Sequence, residues 1–209
     1  LLDLGSGAIA DFSSTSVPVE PEVKTYLSSG AQVVTFSGDK LLGGTQAGII
    51  CGKKSLIKKI HSNALYRALR CDKFTFALLE NILKTYLTPT QVSTDNLAYS
   101  LLTRDRVLLR KMGQKILKGV GTEPVHRHRI SLVESRVEAG SGSLPTEKIP
   151  SMALIFKSHL KPSELSQKFR NASTPILGYI HGNQYRIDLK AIPDALVKNC
   201  IDIFKEVLK

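Results

Sequence analysis

Lys40 has the clearest potential for chemistry in this sequence, because glycines lie on both sides of it. Gly38 precedes it and the pair Gly43-Gly44 follows, so a flat ligand has room to approach the backbone closely. The run Val33 to Phe36 predicts a buried, β-branched strand that ends just before it. Apolar surroundings disfavour the charged ammonium and make the amine a better nucleophile. The alternative is a solvated lysine on a surface turn; the flanking glycines favour a site.

Three oxygen-bearing side chains accompany this lysine. Asp39 adjoins it and reaches the same cavity only if the turn orients it inward; a solvent-facing turn residue is the competing interpretation. Ser37 lies three residues before the lysine, and its hydroxyl binds either a ligand or its own backbone. Asp3 ends another predicted strand, where a simple turn former is an equally good interpretation.

Arg67 and Arg70 are separated by three positions. On a helix or helical turn this spacing points both guanidinium groups to one side, where they are able to clamp a tetrahedral anion. An exposed, salt-bridging pair is the alternative, because charged helix residues are mostly solvated. The residues alone favour neither interpretation.

Other candidates carry less chemistry. His126 and His128 place two ligands on one predicted strand face, but no third ligand is in register, so we predict no metal site. Cys51 and Cys71 are interpreted as small buried hydrophobes. The run Gly140-Ser141-Gly142 resembles a phosphate loop, yet no helix start follows it, which favours a strand-end turn.

The first part of the chain contains the elements that must position Lys40. A second short apolar strand over 47–51 follows the lysine loop and fits a sheet covered on both faces. Ser55 and Asp72 are predicted helix caps. The polar segment 88–95 predicts loop and a domain boundary.

The second part changes from helical to strand periodicity. A long basic helix is predicted over 96–119, with Leu97, Leu101, Leu108, Met112 and Ile116 facing inward. Alternating strands, a hairpin and a closing amphipathic helix follow it. This pattern predicts a small α+β domain with an antiparallel sheet.

Composition restricts the class of protein. The chain has 209 residues, of which 42% are hydrophobic and 22% charged, as in globular proteins that bury a core. No apolar run reaches the ~20 residues that a membrane span needs, so we predict no membrane partner. Three cysteines without short spacing favour a reducing cytoplasm. The net charge of +11 favours an anionic substrate or RNA.

Several motifs resemble the bacterial selenocysteine synthases, the L-seryl-tRNA(Sec) selenium transferases. The resemblance covers nearly the whole chain in order, and Thr45 departs from it because the family usually has proline after the glycine pair. The matching segments are Asp3-Leu4-Gly5-Ser6-Gly7, Phe36-Ser37-Gly38-Asp39-Lys40-Leu41-Leu42-Gly43-Gly44, Gln46-Ala47-Gly48-Ile49-Ile50, Gly52-Lys53-Lys54, Arg67-Ala68-Leu69-Arg70-Cys71-Asp72-Lys73, Leu101-Leu102-Thr103-Arg104 and Gly140-Ser141-Gly142-Ser143-Leu144-Pro145.

The resemblance implies a fold and a reaction. The fold is α/β, a PLP-dependent transferase of the aspartate-aminotransferase type (fold type I). Residues 1–90 are then the C-terminal part of the large domain that binds pyridoxal 5'-phosphate (PLP), and residues 91–209 the small α+β domain. The reaction converts L-seryl-tRNA(Sec) to L-selenocysteinyl-tRNA(Sec), with selenophosphate as donor and an aminoacrylyl intermediate. A cytoplasmic homo-oligomer is implied as well.

The same resemblance implies roles for the candidate residues. Lys40 holds PLP as a Schiff base and is acid and base at the substrate Cα; Asp3 pairs with the pyridinium nitrogen. Ser37 contacts the cofactor phosphate, and Asp39 assists loss of the seryl hydroxyl. The remaining pair, Arg67 and Arg70, receives selenophosphate.

Leu1 to Gly7 has the character of a strand end entering a glycine turn, so we expect sequence upstream of Leu1. Family members have further parts of the pocket there, and we therefore expect these 209 residues alone to bind PLP weakly without turnover. Two alternatives stay open. One is a paralogous PLP-dependent lyase acting on a free amino acid or phosphorylated amino sugar, and the other a non-catalytic RNA-binding or assembly fragment.

Overall fold

A computed structural model describes residues 1–18, 21–140 and 148–209. The chain forms two compact units: the first contains residues 1–103 and 138–148, the second residues 104–137 and 149–209. Both combine helices with a sheet, which confirms the α/β class. In the part that is described, no helix is long and apolar enough to cross a membrane. The predicted turn at Ser141 and Gly142 lies outside the described residues.

The first unit is built on three strands, β1 (Leu2–Gly5), β2 (Val33–Ser37) and β3 (Gly48–Gly52), in the order β1-β2-β3. β1 runs parallel to β2, whereas β3 is antiparallel to it. Val34 and Phe36 are buried in the core of this unit. The strand predicted before the lysine loop is therefore confirmed.

The prediction that both faces of the sheet are covered at β3 is wrong. Ile50 is 43% exposed, and Gly48 is exposed as well. β3 ends the order of the three described strands and pairs with β2. Successive residues of a strand face opposite sides of the sheet, so Ile49 and Cys51 pack against the core of this unit while Ile50 on the other face is exposed.

Six helices complete the described part of the first unit. Asp72 caps the fourth, accepting hydrogen bonds from the backbone N–H groups of Phe74 and Thr75 at 2.7 and 3.0 Å, as predicted. Ser55 is not a cap, because its helix begins one residue earlier. The helices are α1 (Val23–Ser28), α2 (Lys54–His61), α3 (Ala64–Leu69), α4 (Lys73–Thr85), α5 (Pro89–Asp95) and α6 (Leu97–Thr103).

Segment 88–95 is helical as α5 instead of the predicted loop. The Thr88 side chain accepts a hydrogen bond from the backbone N–H of Gln91 at 3.4 Å, which supplies a cap for that helix. A threonine followed by proline is a helix-start signal, but the polar composition of the segment favoured a loop.

The predicted long helix over 96–119 is interrupted. α6 ends at Thr103, and α7 (Arg106–Val120) begins after Asp105, whose side chain accepts a hydrogen bond from the backbone N–H of Leu108 at 2.8 Å. This second cap resets the helical phase, so Leu109 is buried while Leu108 is 53% exposed. Met112 and Ile116 are buried as predicted; Leu97, 57% exposed, is not.

The second unit contains the predicted antiparallel sheet, with strand order β4-β5-β7-β6. Helices pack against it around an aromatic cluster whose ring centroids lie 5.0 to 5.8 Å apart. The cluster consists of Phe156, Phe169, Tyr185 and Phe204. The elements are α8 (Thr122–Arg127), β4 (Ile130–Val137), β5 (Ile149–Phe156), α9 (Pro162–Arg170), β6 (Tyr179–His181), β7 (Gln184–Asp188), a 3-10 turn (Asp194–Leu196) and α10 (Val197–Val207).

Arg104, the last residue of one family motif, has a structural role in the second unit. Its guanidinium donates to the carbonyl oxygens of Ile192 at 2.8 Å and Lys190 at 2.5 Å. Lys190 in turn donates from Nζ to the carbonyl oxygen of Arg104 at 2.7 Å. Burial and the neighbouring guanidinium lower the pKa of Lys190 to about 8. The two buried cations thus fix the segment before α7 to the end of β7.

His128 is expected to make the second unit sensitive to acid. His128 is 3% exposed, and its ring stacks on that of His159. The distance between Nδ1 of His128 and Oγ of Ser158 is 2.8 Å, a hydrogen bond. Burial, followed by the charges of His159, Arg127 and Lys168, lowers the pKa of His128. The unfolded chain therefore binds a proton at a higher pH than the folded chain does.

As the pH falls through about 6.5, the free energy of unfolding should decrease by up to about 1.4 kcal/mol per pH unit from this group. Urea denaturation between pH 7.5 and 5 measures this slope. His128→Gln should flatten it, and His126→Gln, at an exposed position of α8, should not. Equal slopes in wild type and His128→Gln would contradict the assignment.

Candidate active site

The loop after β2 folds back on itself and presents Lys40. The backbone N–H of Gly38 donates to the carbonyl oxygen of Ala47 at 2.8 Å, and that of Gly44 to the carbonyl oxygen of Gly38 at 2.7 Å. A turn bond from the N–H of Gly43 to the carbonyl oxygen of Lys40 measures 2.9 Å. Lys40 itself is half-buried. A side chain at residue 38 would begin 2.8 Å from the carbonyl oxygen of Thr45, so this glycine is needed for the loop to close.

The amine of Lys40 lies beside the end of β1. A Cβ atom at Gly5 would lie 3.8 Å from Nζ of Lys40, and Gly5 has φ +64°, which favours glycine. At Gly5, therefore, no side chain separates the backbone from the Lys40 amine. Because β1 pairs in parallel with β2, Gly5 and Lys40 lie side by side although they are 35 positions apart in the sequence.

Asp3 is fixed on the same strand end. Its Oδ1 accepts hydrogen bonds from Oγ1 of Thr35 at 2.9 Å and from the backbone N–H of Gly5 at 3.3 Å. The bond from Gly5 matches the turn-former interpretation, whereas the bond from Thr35 crosses between strands. No hydrogen bond reaches Oδ2 within the described part of the chain, and the side chain is exposed. The carboxylate is thus oriented while one oxygen stays available to a ligand.

Ser37 and Asp39 flank the lysine loop with less constraint. Ser37 is the half-buried last residue of β2, opposite Gly48. Asp39 is exposed, and among the described residues it forms no ion pair. Their proposed contacts with a cofactor and with the seryl hydroxyl stay predictions.

Arg67 and Arg70 both lie at the end of α3. Arg67 is in its last turn, and Arg70 is its C-terminal cap, whose backbone N–H donates to the carbonyl oxygen of Tyr66 at 2.8 Å. Both arginines are exposed, and neither forms an ion pair within residues 1–18, 21–140 and 148–209. An anion clamp by the pair stays a prediction.

Arg70 lines a groove of about 750 Å³ in the first unit. Its walls are mainly apolar and include Ile50, Leu69 and Phe76. Thr35, which hydrogen-bonds to Asp3, lines the same groove. The groove therefore connects one of the candidate arginines with the strand pair that carries the carboxylate.

Two further residues that the sequence did not single out support the lysine loop. Nδ2 of Asn96 donates to the carbonyl oxygen of Leu42 at 2.9 Å, and Oη of Tyr86 donates to the same oxygen at 2.8 Å. Asn96 is fully buried, and its Oδ1 caps α6 by accepting from the backbone N–H of Tyr99 at 3.0 Å. An asparagine before an apolar run is a helix-start signal, so the sequence could predict the cap. It could not predict the contact of Asn96 with the lysine loop.

The structure also locates the histidine and cysteine residues considered in the sequence. His126 lies in α8 and not on a strand, so the predicted shared strand face is wrong. Cys51 and Cys71 are half-buried rather than buried, and burial raises the pKa of the Cys51 thiol.

Comparison with known proteins identifies the family. The family model described as L-seryl-tRNA selenium transferase matches residues 1–193. An L-seryl-tRNA(Sec) selenium transferase from Escherichia fergusonii is 38% identical over 196 residues, which are 92% of this chain and 42% of the relative. One from Haemophilus influenzae is 38% identical over 194 residues, with the same coverage. The chain thus spans about two fifths of the length of these curated relatives.

A solved structure shares the fold. D-glucosaminate-6-phosphate ammonia-lyase superposes with a TM-score of 0.59 at 18% identity, covering 99% of this chain and 48% of that one. This likeness concerns the path of the chain only, since unrelated activities occur on one fold. The family match, by contrast, extends across both units and includes the lysine loop. The chain belongs to the L-seryl-tRNA selenium transferase family.

Proposed function

We propose that this chain takes part in the PLP-dependent conversion of L-seryl-tRNA(Sec) to L-selenocysteinyl-tRNA(Sec), with selenophosphate as the selenium donor. The observation that carries the proposal is the position of the Lys40 amine next to Gly5, on the strand that also carries Asp3. Membership of the family supports the substrate. We place the reaction in the cytoplasm and in a homo-oligomer; three free cysteines agree with a reducing compartment.

The residues of the first unit fit PLP. The glycine at position 5 leaves room beside the amine, and Oδ2 of Asp3 is available for a protonated ring nitrogen. Lys40 would hold the cofactor through Nζ, and Ser37 would contact its phosphate. In this proposal residues 1–90 belong to the PLP-binding large domain of fold type I, and residues 91–209 form the small domain. Bound PLP supplies an electron sink that stabilises negative charge at the substrate Cα.

The protein side chains supply proton transfer and binding. The Lys40 amine takes the Cα proton of the seryl group and later returns one to the same atom. Asp39 donates a proton to the seryl hydroxyl as it leaves, which requires the carboxyl to turn toward the loop. Asp3 keeps the ring nitrogen protonated. The selenium of selenophosphate then bonds to the carbon that lost the hydroxyl, and its bond to phosphorus breaks as water takes up the phosphoryl group, which leaves as phosphate.

Arg67 and Arg70 bind the phosphate of the donor in this proposal. Charge-assisted hydrogen bonds to a phosphate contribute about 1.5–3 kcal/mol each, so Arg70→Ala should raise KM for selenophosphate about tenfold or more. In protein containing these 209 residues, steady-state kinetics with varied selenophosphate measure this effect. Lys59→Ala, at an exposed position of α2, is the matched control. An unchanged KM in an Arg67→Ala, Arg70→Ala double variant would remove the pair from the donor site.

Cofactor attachment is tested by trapping. The chain is incubated with PLP, reduced with borohydride, digested and mapped by mass spectrometry. We expect Lys40 to be labelled at lower PLP concentration than the exposed Lys53 and Lys54, even where overall binding is weak. Uniform labelling of all exposed lysines would contradict the assignment.

A lyase acting on a free phosphorylated amino sugar, or on a free amino acid, is the alternative function. The fold likeness to an ammonia-lyase does not favour it, because it carries no substrate information. Release of ammonia from such a substrate, without selenium incorporation into seryl-tRNA(Sec), would identify the lyase.

A further inference from the structure

A row of three side chains crosses the sheet of the first unit on the face away from its core. Val34 and Phe36 of β2 are buried, and successive residues of a strand face opposite sides of the sheet, so Thr35 between them lies on the other face. Its partners in the neighbouring strands are Asp3 on β1 and Ile50 on β3. Thr35 therefore has a carboxylate on one side and an aliphatic side chain on the other.

The hydroxyl of Thr35 is turned toward the carboxylate. The side chain of Ile50 contains no hydrogen-bond acceptor, whereas Oγ1 of Thr35 donates to Oδ1 of Asp3 at 2.9 Å. The other bond to this oxygen, from the backbone N–H of Gly5, measures 3.3 Å, longer than the common value of about 2.9 Å. The contact with Thr35 is thus the shorter of the two, and it ties the carboxylate to the strand from which the lysine loop leaves.

Strand formation does not require the hydroxyl at position 35. Threonine and valine are both favoured in strands and have the same branched shape, and two valines precede Thr35 in β2. Aspartate, by contrast, is depleted in strands, yet Asp3 lies in β1 directly beside this threonine. What the hydroxyl adds to the strand pair is therefore the bond to the carboxylate.

The bond between Thr35 and Asp3 gains strength when a ligand excludes water. Asp3 is exposed and Thr35 half-buried, so water competes for both groups in the free chain. A ring lying against Asp3 displaces that water and lowers the local dielectric, which strengthens the hydrogen bond. Because a carboxylate is planar and rigid, the donors from Thr35 and Gly5 that hold Oδ1 also fix the direction of Oδ2.

We propose that Thr35 is a positioning residue for Asp3: its hydroxyl holds Oδ1 so that Oδ2 meets the protonated ring nitrogen of PLP. This inference rests on the proposed function, which supplies PLP, and adds to it a residue that acts only through Asp3. A charge-assisted hydrogen bond depends on its direction as well as its length. A carboxylate that is free to rotate should therefore bind the ring nitrogen less tightly than one that Thr35 holds.

The first measurement needs no cofactor. Side-chain scalar couplings, measured by NMR on the isotope-labelled chain, report whether the χ1 angle of Asp3 is fixed. We expect one dominant rotamer in wild type and in Thr35→Ser, which keeps the hydroxyl, and averaging over several rotamers in Thr35→Val. Thr25→Val, at an exposed position of α1, is the matched control and should match wild type. An Asp3 side chain that is equally fixed in Thr35→Val would overturn the proposal.

The second measurement asks whether the hydroxyl acts through the ring nitrogen. Pyridoxamine 5'-phosphate has no aldehyde and cannot react with Lys40, so its binding to protein containing these 209 residues is a true equilibrium. Its 1-deaza analogue, in which carbon replaces the ring nitrogen, is the matched ligand. Thr35→Val should weaken binding of pyridoxamine phosphate about three- to tenfold and leave binding of the analogue unchanged, and Thr35→Ser should restore the wild-type affinity. An equal loss for both ligands would reduce Thr35 to a structural role and overturn the proposal.

Asp3→Ala separates this inference from the proposed function. It should abolish the preference of the protein for pyridoxamine phosphate over the deaza analogue. A wild-type protein without that preference would refute the role of Asp3 in the proposed function itself. A preference that disappears in Asp3→Ala but stays complete in Thr35→Val would overturn the positioning role of Thr35 alone.

Discussion

Selenocysteine formation should fall by at least about a thousandfold when Lys40 is replaced by alanine in protein containing these 209 residues. Proton transfer by a positioned side chain alone contributes about 10²–10⁴-fold, and Lys40→Ala removes covalent attachment of the cofactor as well. Lys40→Arg should be equally inactive, because arginine keeps the charge without offering a nucleophilic amine. The readout is selenium incorporated into seryl-tRNA(Sec).

A matched control and a rescue define this experiment. Lys54→Ala, at an exposed position of α2, should retain the wild-type rate. Added methylamine should restore part of the activity of Lys40→Ala, since a small amine occupies the space beside Gly5 and accepts the Cα proton. A Lys40→Ala rate within tenfold of wild type would show that another residue does this chemistry.

Asn96→Leu should destabilise the first unit by about 1–3 kcal/mol. Leucine has the same number and branching of side-chain heavy atoms as asparagine but cannot donate, so the carbonyl oxygen of Leu42 loses one of its two side-chain donors. The same change removes the cap of α6. Gly43 packs against the amide as well: a Cβ there would lie 2.5 Å from Oδ1 of Asn96.

Denaturation of Asn96→Leu measures the loss, with Asn81→Leu at an exposed position of α4 as control; the control should stay within about 0.5 kcal/mol of wild type. We also expect the preference of PLP for Lys40 over Lys53 to decrease, because the loop that presents Lys40 is less fixed. An unchanged preference in a destabilised Asn96→Leu would show that the loop does not depend on this contact.

Local patterns predicted much of what surrounds the lysine. The apolar, β-branched run before it indicated β2, the glycines indicated a loop in close contact with backbone, and Asp72 indicated the start of α4; the structure contains all three. The hairpin of β6 and β7 in the second unit was readable for the same reason. In each case the signal lies within a few residues of its effect.

The features that the sequence did not predict depend on distant residues or on a second local signal. Asn96 contacts a residue 54 positions earlier, which no periodicity reports. A second cap at Asp105 interrupts the helix expected over 96–119, although its apolar spacing continues across the break. The position of β3 at the sheet edge depends on which strands pair, and composition does not specify pairing.

The parallel pairing of β1 with β2 has a consequence for how the site comes into being. Asp3 meets Thr35 across 32 positions of sequence, and a parallel pair needs a long crossover before its first hydrogen bond forms. Such non-local pairings form late, because the loss of chain entropy precedes the gain in contacts. The Lys40 amine and the end of β1 should therefore come together only in the last stage of refolding. The time course of borohydride trapping at Lys40 during refolding would then measure how fast β1 pairs with β2.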